Sequence, residues 1–354
     1  MGLLETAIGG ITGQDASWRA KAKERLDQLT MPHWALGRLM DLAMDLAGMT
    51  RSVHPPVKRK AIVTMAGDHG VAAEGVSRYP REVTLQMVHN FVNGGAGINA
   101  LARLAGARVV VVDMGVAGDL VGLAQAGKII SRRIAAGTAD MARGPAMSRD
   151  QAVRAVEAGI EVAQALGDSV DVLGTGDMGI ANTTPSAAIV AAITRSSAAD
   201  VTGRGTGIDD AQLRHKITVV QKALDVNRPD PADAIDVLSK VGGFEIGGIA
   251  GVILGAASMR KPVLVDGFIS TAGAMLAHLL APGAADYVIA AHRSAEVGHR
   301  LMHAHLGKLP LLDLDMRLGE GTGSALAMHL VDAAAAILTQ VATFQEAAVS
   351  EANK

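Results

Sequence analysis

Short apolar segments alternate with longer helical stretches along most of this chain of 354 residues. The segments that predict β-strands begin near residues 61, 108, 170, 262, 287 and 310. Repeated strand–helix units favour a mostly parallel sheet with helices on both faces. We therefore predict an α/β fold in which a doubly wound, mostly parallel sheet forms the middle of three αβα layers.

The two ends of the chain do not follow this alternation. Residues 15–46 have a helical pattern, interrupted at Met31 because Pro32 restricts the residue before it. A long helical pattern also leads into the C-terminal tail. We predict a small helical domain from residues 1–55 and about 335–354, and a large Rossmann-like domain, residues 56–334, that carries the active site.

The composition argues against a nucleic-acid-binding protein. The formal net charge is -2, whereas recognition of a phosphate backbone depends on a basic surface. Aromatic residues make up only 2% of the chain, too few to form stacking platforms for single strands. The 49% of hydrophobic residues instead permit a large buried core.

The chain contains no cysteine, which excludes thiolate chemistry and fits the reducing cytoplasm. The apolar stretches at residues 187–193 and 246–258 are shorter than the roughly 20 residues that a membrane-spanning helix needs. We therefore expect a cytoplasmic protein without a membrane partner.

One carboxylate, Glu320, lies inside a glycine-rich corner, residues 319–323. Residues 309–314 before it predict a buried strand, and a helical pattern starts at Ala325. A carboxylate at the carboxyl end of a parallel strand is a candidate general base. An acid that stabilises a helix N-terminus is the alternative. A helix N-terminus would lower the pKa of Glu320 and an apolar pocket would raise it.

Two further glycine-rich segments could surround an anion. Residues 174–185 follow a predicted strand and combine glycines with hydroxyl side chains, which suits a phosphate at a helix N-terminus. Residues 174–179 also match the dinucleotide-binding pattern by letter, so an oxidoreductase is an alternative. Residues 201–207 precede a helix that carries Lys216, which suits either a phosphate monoester or a tight loop with a solvated lysine.

Two groups of polar side chains leave a structural alternative open. Asp68 and His69 follow the first strand, where they could act in acid–base chemistry or hold their loop by hydrogen bonds. His292, Glu296 and His299 have helical spacing and could ligate a metal ion, but their pattern favours helix-surface or capping roles.

Five motifs in this order resemble the nicotinate-nucleotide–dimethylbenzimidazole phosphoribosyltransferase family. They occupy residues 66–71, 137–148, 174–185, 203–207 and 311–323. The resemblance covers nearly the whole chain. No single glycine motif is specific, but the ordered set is.

The resemblance implies a reaction in cobalamin biosynthesis. The family moves the 5-phosphoribosyl group from nicotinate mononucleotide to 5,6-dimethylbenzimidazole, giving α-ribazole 5′-phosphate and nicotinate. It implies a homodimer with the site near the subunit interface, and neither a cofactor nor a metal ion. The alternatives are the same chemistry with a different base acceptor, or a non-catalytic nucleotide-binding protein.

The resemblance also implies roles for individual residues. Glu320 matches the general base. The predicted surroundings of the phosphate are Gly179, Asn182, Thr183, Thr184, Gly205 and Lys216. The predicted contacts of the base are Ser77, Tyr79 and Gln86, and the remaining substrate-binding residues are Asp177, Met178 and Leu318. Asp177 stands where the family pattern has glutamate, and we expect a pocket of soft Met and Leu side chains.

Overall fold

The structure, a computed structural model, describes residues 2–350. Its strands are β1 (Lys60–Gly67), β2 (Ala107–Gly115), β3 (Ile130–Ser131), β4 (Val172–Met178), β5 (Val263–Val265) and β6 (Val288–Ala290). They form one parallel sheet of order β3-β2-β1-β4-β5-β6. This is the doubly wound order, and its direction reverses between β1 and β4. The predicted fold class is confirmed.

The helices surround this sheet. In chain order they are α1 (Leu3–Gly10), α2 (Ala16–Leu26), α3 (Arg38–Thr50), α4 (Val83–Asn93), α5 (Gly97–Ala105), α6 (Val121–Gln125), α7 (Arg149–Leu166), α8 (Thr183–Thr194), α9 (Ala198–Val201), α10 (Asp210–Asn227), α11 (Ala234–Val241), α12 (Phe244–Ser258), α13 (Phe268–Leu280), α14 (His299–Leu306), α15 (Thr322–Gln340) and α16 (Phe344–Ala347). Short 3₁₀ helices occupy Gly70–Glu74, Gly167–Ser169 and Pro282–Tyr287.

The helices α7 and α12 pack with their backbones in contact. A Cβ on Gly159 of α7 would lie 2.0 Å from the carbonyl oxygen of Gly248. A Cβ on Gly251 of α12 would lie 1.9 Å from the carbonyl oxygen of Val156. Only glycine permits this approach. It fixes α12 against β1, β2 and β4 on one face of the sheet. The N-terminal end of α12 lies beside the ends of β1 and β2, where Glu245 faces Gly67 and Phe244 faces Gly115.

The helix α15 connects the sheet to the terminal helices. It packs against β4, α5 and α3, and α3 packs against α2. It also crosses residue 335, where we placed a domain boundary, so that division stays a prediction. Among the described helices, only α15 is long and apolar enough to cross a membrane, and most of it is buried inside the protein, as in a core helix.

The strand predicted at residues 309–314 is wrong. Leu309 is 74% exposed and Leu314 is 59% exposed. The segment runs along the sheet edge, where the N–H of Leu311 donates to the carbonyl oxygen of Ala290 at 2.9 Å. A short apolar run does not reveal whether it will be covered, because burial depends on elements that are distant in the sequence.

We predict that Gly251→Ala destabilises the protein by about 1–3 kcal/mol, because a methyl group there forces α7 and α12 apart. Urea unfolding followed by circular dichroism measures the change. The control is Gly9→Ala in α1, where nothing lies within 4 Å of the new Cβ. We expect that variant to be at least as stable as the parent, and equal stabilities of the two variants would contradict the packing argument.

Candidate active site

Glu320 lies at the carboxyl ends of the two central strands. The hydroxyl of Thr64 in β1 donates to the carbonyl oxygen of Glu320 at 3.0 Å. A Cβ on Gly176 of β4 would lie 2.3 Å from the same oxygen. Glu320 itself has a left-handed backbone, with φ of 63°. The corner is therefore pressed onto the point where the strand order reverses, which is where ligands bind in open α/β sheets.

Asp266, directly after β5, holds this corner in place. Its Oδ2 accepts a hydrogen bond from the N–H of Gly321 at 3.0 Å. Its Oδ1 accepts from the N–H groups of Gly323 at 2.7 Å and Ser324 at 3.2 Å. The carboxylate is fully buried. It therefore caps α15 from a distant strand and fixes the residue that precedes the helix.

The side chain of Glu320 turns away from its own helix toward α5. Its Oε2 accepts a hydrogen bond from the N–H of Ile98 at 3.1 Å, and only 6% of the residue is exposed. Burial raises the pKa of Glu320 above its ordinary value; the N–H of Ile98 opposes this shift and the charge of Asp266 adds to it. Of the two effects expected on this pKa, burial is therefore the larger. The helix N-terminus that lowers the pKa belongs to α5, not to α15.

Asp177 lies beside Glu320 at the end of β4. Its Oδ2 accepts from the side-chain amide of Asn182 at 3.0 Å, whereas its buried Oδ1 has no hydrogen-bond partner. Burial raises the pKa of Asp177 well above its ordinary value; Asp266, Glu245 and Glu320 add to the shift and Asn182 opposes it. These effects favour the neutral acid, which can donate a hydrogen bond.

Lys216 and the start of α8 form a candidate phosphate site. The ammonium of Lys216 donates to the hydroxyl of Thr183 at 2.7 Å. Gly205 has φ of 51°, which favours glycine, and a Cβ there would lie 3.1 Å from the hydroxyl of Thr183. Burial lowers the pKa of Lys216 to about 8, and the charge of Glu296 opposes that shift. Lys216 is thus buried, not the solvated lysine of the alternative interpretation.

The residues predicted to contact the base are partly or fully exposed to solvent. Ser77 and Tyr79 are on the loop before α4, and Tyr79 is 53% exposed. Gln86 is on the exposed face of α4. Arg78 connects this loop to the turn at residues 203–207 by donating to the carbonyl oxygen of Gly207 at 3.0 Å.

Two other predicted residues lie near the carboxylates. Met178, at the end of β4, is half-buried, and Leu318 is exposed. The Cδ2 of Leu318 lies 2.9 Å from the position that a Cβ on Gly97 would take, beside the carboxylate of Glu320. The structure therefore brings Asp177, Met178 and Leu318 to the Glu320 corner, and Thr183, Gly205 and Lys216 to the candidate phosphate site. Gly179 lies on the connection between β4 and α8, and Thr184 lies in the first turn of α8.

The helical interpretation of His292, Glu296 and His299 is wrong. Residues 292–298 form an irregular loop, α14 begins at His299, and all three side chains are buried. In residues 2–350 no group of three or more His, Asp or Glu residues is placed to hold a metal ion. Glu296 instead accepts a hydrogen bond from the N–H of Gly205 at 2.8 Å, a contact that local spacing could not reveal.

The side chains of Asp68 and His69 have different partners in the structure. Asp68 Oδ2 accepts from the N–H of Ala117 at 2.7 Å, so its role is to hold the loop. His69 faces Glu245 of α12, with 2.7 Å between Nε2 and Oε1, and both side chains are fully buried. The sequence patterns did not predict Asp266 or Glu245 as site residues. The only sequence signal for Asp266 is an acid directly after a strand, and Glu245 has none.

The dinucleotide interpretation of residues 174–179 does not fit the geometry. Gly174 and Gly176 lie within β4, which continues to Met178, whereas the dinucleotide pattern requires its glycines in the turn after a strand. These two glycines instead give space to α15 and the Glu320 corner. A Cβ on Gly174 would lie 3.0 Å from the Cβ of Ser324.

Comparisons with known proteins agree with this geometry. A family model described as "Phosphoribosyltransferase" matches residues 11–349. The nicotinate-nucleotide–dimethylbenzimidazole phosphoribosyltransferase of Syntrophotalea carbinolica is 64% identical over 99% of both chains. The protein of the same name from Desulfotalea psychrophila is 58% identical over the full length of both. A crystal structure of such an enzyme from Thermus thermophilus has a TM-score of 0.89 and 46% identity, covering 96% of this chain and all of that one.

The sheet order, the buried carboxylates and a buried lysine that faces the N-terminus of α8 agree with the family match. The chain is a phosphoribosyltransferase. The extent and level of the identities narrow this class further. The chain belongs to the nicotinate-nucleotide–dimethylbenzimidazole phosphoribosyltransferase family, and the predicted resemblance is confirmed.

We predict that Asp266→Asn lowers the free energy of unfolding by about 1–3 kcal/mol, because an amide oxygen is a weaker acceptor for three buried N–H groups than a carboxylate. Chemical denaturation measures the loss. The matched control is Asp315→Asn, at an exposed position with φ of 52°, which asparagine tolerates. A loss as small as that of the control would show that Asp266 does not anchor the corner.

Proposed function

We propose that this chain transfers the 5-phosphoribosyl group of nicotinate mononucleotide to 5,6-dimethylbenzimidazole. The products are α-ribazole 5′-phosphate, for the lower ligand of cobalamin, and nicotinate. The observation that carries the proposal is the buried carboxylate of Glu320, whose raised pKa suits a general base and whose corner lies beside a site for a phosphate. The names of the relatives support the choice of substrates.

The chemistry requires one bond to form and one to break at C1′ of the ribose. A ring nitrogen of the benzimidazole attacks C1′, and the glycosidic bond to the pyridinium nitrogen of nicotinate breaks with its electron pair leaving on that nitrogen. Glu320 accepts the proton from the other benzimidazole nitrogen. Attack opposite the leaving group inverts the β configuration to α. The pyridinium is itself a good leaving group, so acid assistance is not required.

The phosphate site contributes by positioning the ribose. Lys216, the hydroxyl of Thr183 and the N-terminus of α8 would hold the 5′-phosphate, since helix N-termini and ammonium groups favour anions. Binding energy from this remote group then orients C1′ toward the attacking nitrogen. Asp177, as a neutral acid with a free Oδ1, would donate to an oxygen of the bound nucleotide.

The acceptor site is the open side formed by Ser77, Tyr79, Gln86, Met178 and Leu318. Met178 and Leu318 give it flexible apolar surface, which suits a flat heterocycle and would tolerate related bases. Tyr79 and Leu318 are exposed although they are large and apolar. A second copy of the chain would cover them, and we therefore include a homodimer in the proposal. The cysteine-free composition supports a cytoplasmic location, which we also include.

We predict that Glu320→Gln lowers turnover at least about 100-fold, because the amide cannot accept the proton. Chromatography of nicotinate mononucleotide, dimethylbenzimidazole and purified protein would follow nicotinate release and α-ribazole 5′-phosphate together. Calorimetry should show nucleotide affinity within a few-fold of the parent. Turnover at the parent's level would remove Glu320 as the base. If the nucleotide binds but no benzimidazole, phenol or purine is ribosylated, the chain is a binding protein or uses another acceptor.

We predict that nucleotide affinity falls as the pH rises through about 8, where Lys216 loses its proton. Burial lowers this pKa, so the charged form that binds phosphate is lost earlier than for a solvated lysine. Lys216→Met should weaken binding roughly 10- to 100-fold and remove the part of the decline near pH 8 that comes from the lysine. Lys222→Met, at an exposed position of α10, is the control and should bind as the parent does. An unchanged pH profile in Lys216→Met would contradict the assignment.

A further inference from the structure

The phosphate site contains a carboxylate that the proposed chemistry does not use. Glu296 reaches it from the loop between β6 and α14 and is only 7% exposed. Its Oε1 accepts from the N–H of Gly205 at 2.8 Å. Its Oε2 is buried without a hydrogen-bond partner. A Cβ on Gly203 would lie 2.0 Å from this oxygen, so the carboxylate lies directly against the turn.

Two positive side chains from other elements face Glu296. They are Lys216 of α10 and Arg317 of the loop before Glu320. Arg204, on the adjacent turn, instead pairs with Asp210. Burial raises the pKa of Glu296; Lys216, the N–H of Gly205 and Arg317 oppose this shift. Burial outweighs these three partners, so the pKa of Glu296 is raised on balance, and the ionised carboxylate depends on them.

An incoming phosphate changes this balance. A phosphate monoester carries a charge of about -1.5 to -2 at neutral pH and needs the same partners as Glu296. Lys216 lies beside Gly205, whose N–H Glu296 already uses. Two buried anions that share one set of positive groups cannot both stay fully ionised without a large loss of binding energy.

Resting on the proposed function, we propose that Glu296 makes phosphate binding proton-linked: one proton is taken up when the 5′-phosphate enters, and it is shared between the Glu296 carboxyl and a phosphate oxygen. The unpartnered Oε2 becomes the proton-bearing atom and donates to the phosphate. Glu296 is thus a specificity-determining residue that favours a phosphate monoester able to accept a hydrogen bond. No covalent bond forms or breaks.

Isothermal titration calorimetry tests the proposal directly. Nicotinate mononucleotide is titrated into the full-length protein between pH 6.5 and 7.5, below the pKa of about 8 of Lys216. Buffers of different ionisation enthalpy, none of them phosphate, give the number of protons taken up. We expect the parent to take up close to one proton more than Glu296→Gln, whose affinity should not show the parent's additional decline of about tenfold per pH unit.

Nicotinate riboside, which lacks the phosphate, is a control on the parent protein itself. It should bind without the additional proton uptake. The matched variant Glu320→Gln should keep the proton uptake, which distinguishes Glu296 from the proposed general base. Equal uptake for the nucleotide and the riboside, or for the parent and Glu296→Gln, would overturn the proposal.

Ribose 5-phosphate separates this proposal from the proposed function. If it binds with the extra proton while nicotinate mononucleotide does not bind, the role of Glu296 stands and the proposed substrate falls. If the nucleotide binds and is turned over without extra proton uptake, the function stands and the role of Glu296 falls. If neither phosphate compound binds, both proposals fall.

Discussion

The site depends on one buried carboxylate that collects three backbone N–H groups. Asp266 follows β5, and its two oxygens hold Gly321, Gly323 and Ser324 at the start of α15. Because these are charged hydrogen bonds in a dry environment, they are strong and directional. They hold the turn that places Glu320, in a left-handed backbone conformation, over β1 and β4. The long core helix and the candidate base are therefore fixed by the same contact.

The same contact sets the electrostatics of the site. Asp266 lies close enough to Glu320 and Asp177 for its charge to raise the pKa of both, in addition to the effect of their burial. Asp266, which anchors the corner, thus also favours the protonated forms of Glu320 and Asp177. A cluster of buried acids destabilises a fold unless hydrogen bonds compensate, and the N–H groups of α5 and α15 supply some of them. Buried acids with raised pKa values are typical of sites that transfer protons.

The fold followed from the sequence because its signals are local. Alternation of apolar strands with helices predicts a parallel sheet wherever it occurs, and β1 and β4 lie where the pattern placed them. The errors arose where the same pattern has two tertiary outcomes. Residues 309–314 are apolar but lie along the sheet edge, and residues 292–298 have helical spacing but form a loop. Neither outcome is encoded within a few residues of the segment itself.

The sequence alone determined the α/β class, the family resemblance and the candidate residues Glu320, Asp177 and Lys216, because these depend on residue type and order. The tertiary structure decided what those residues can do. The N–H of Ile98, 222 residues before Glu320, and Gly205, 91 residues before Glu296, became hydrogen-bond partners only through folding. A pKa depends on burial and on charges a few ångströms away, and both are set by elements that meet in space and not in the chain.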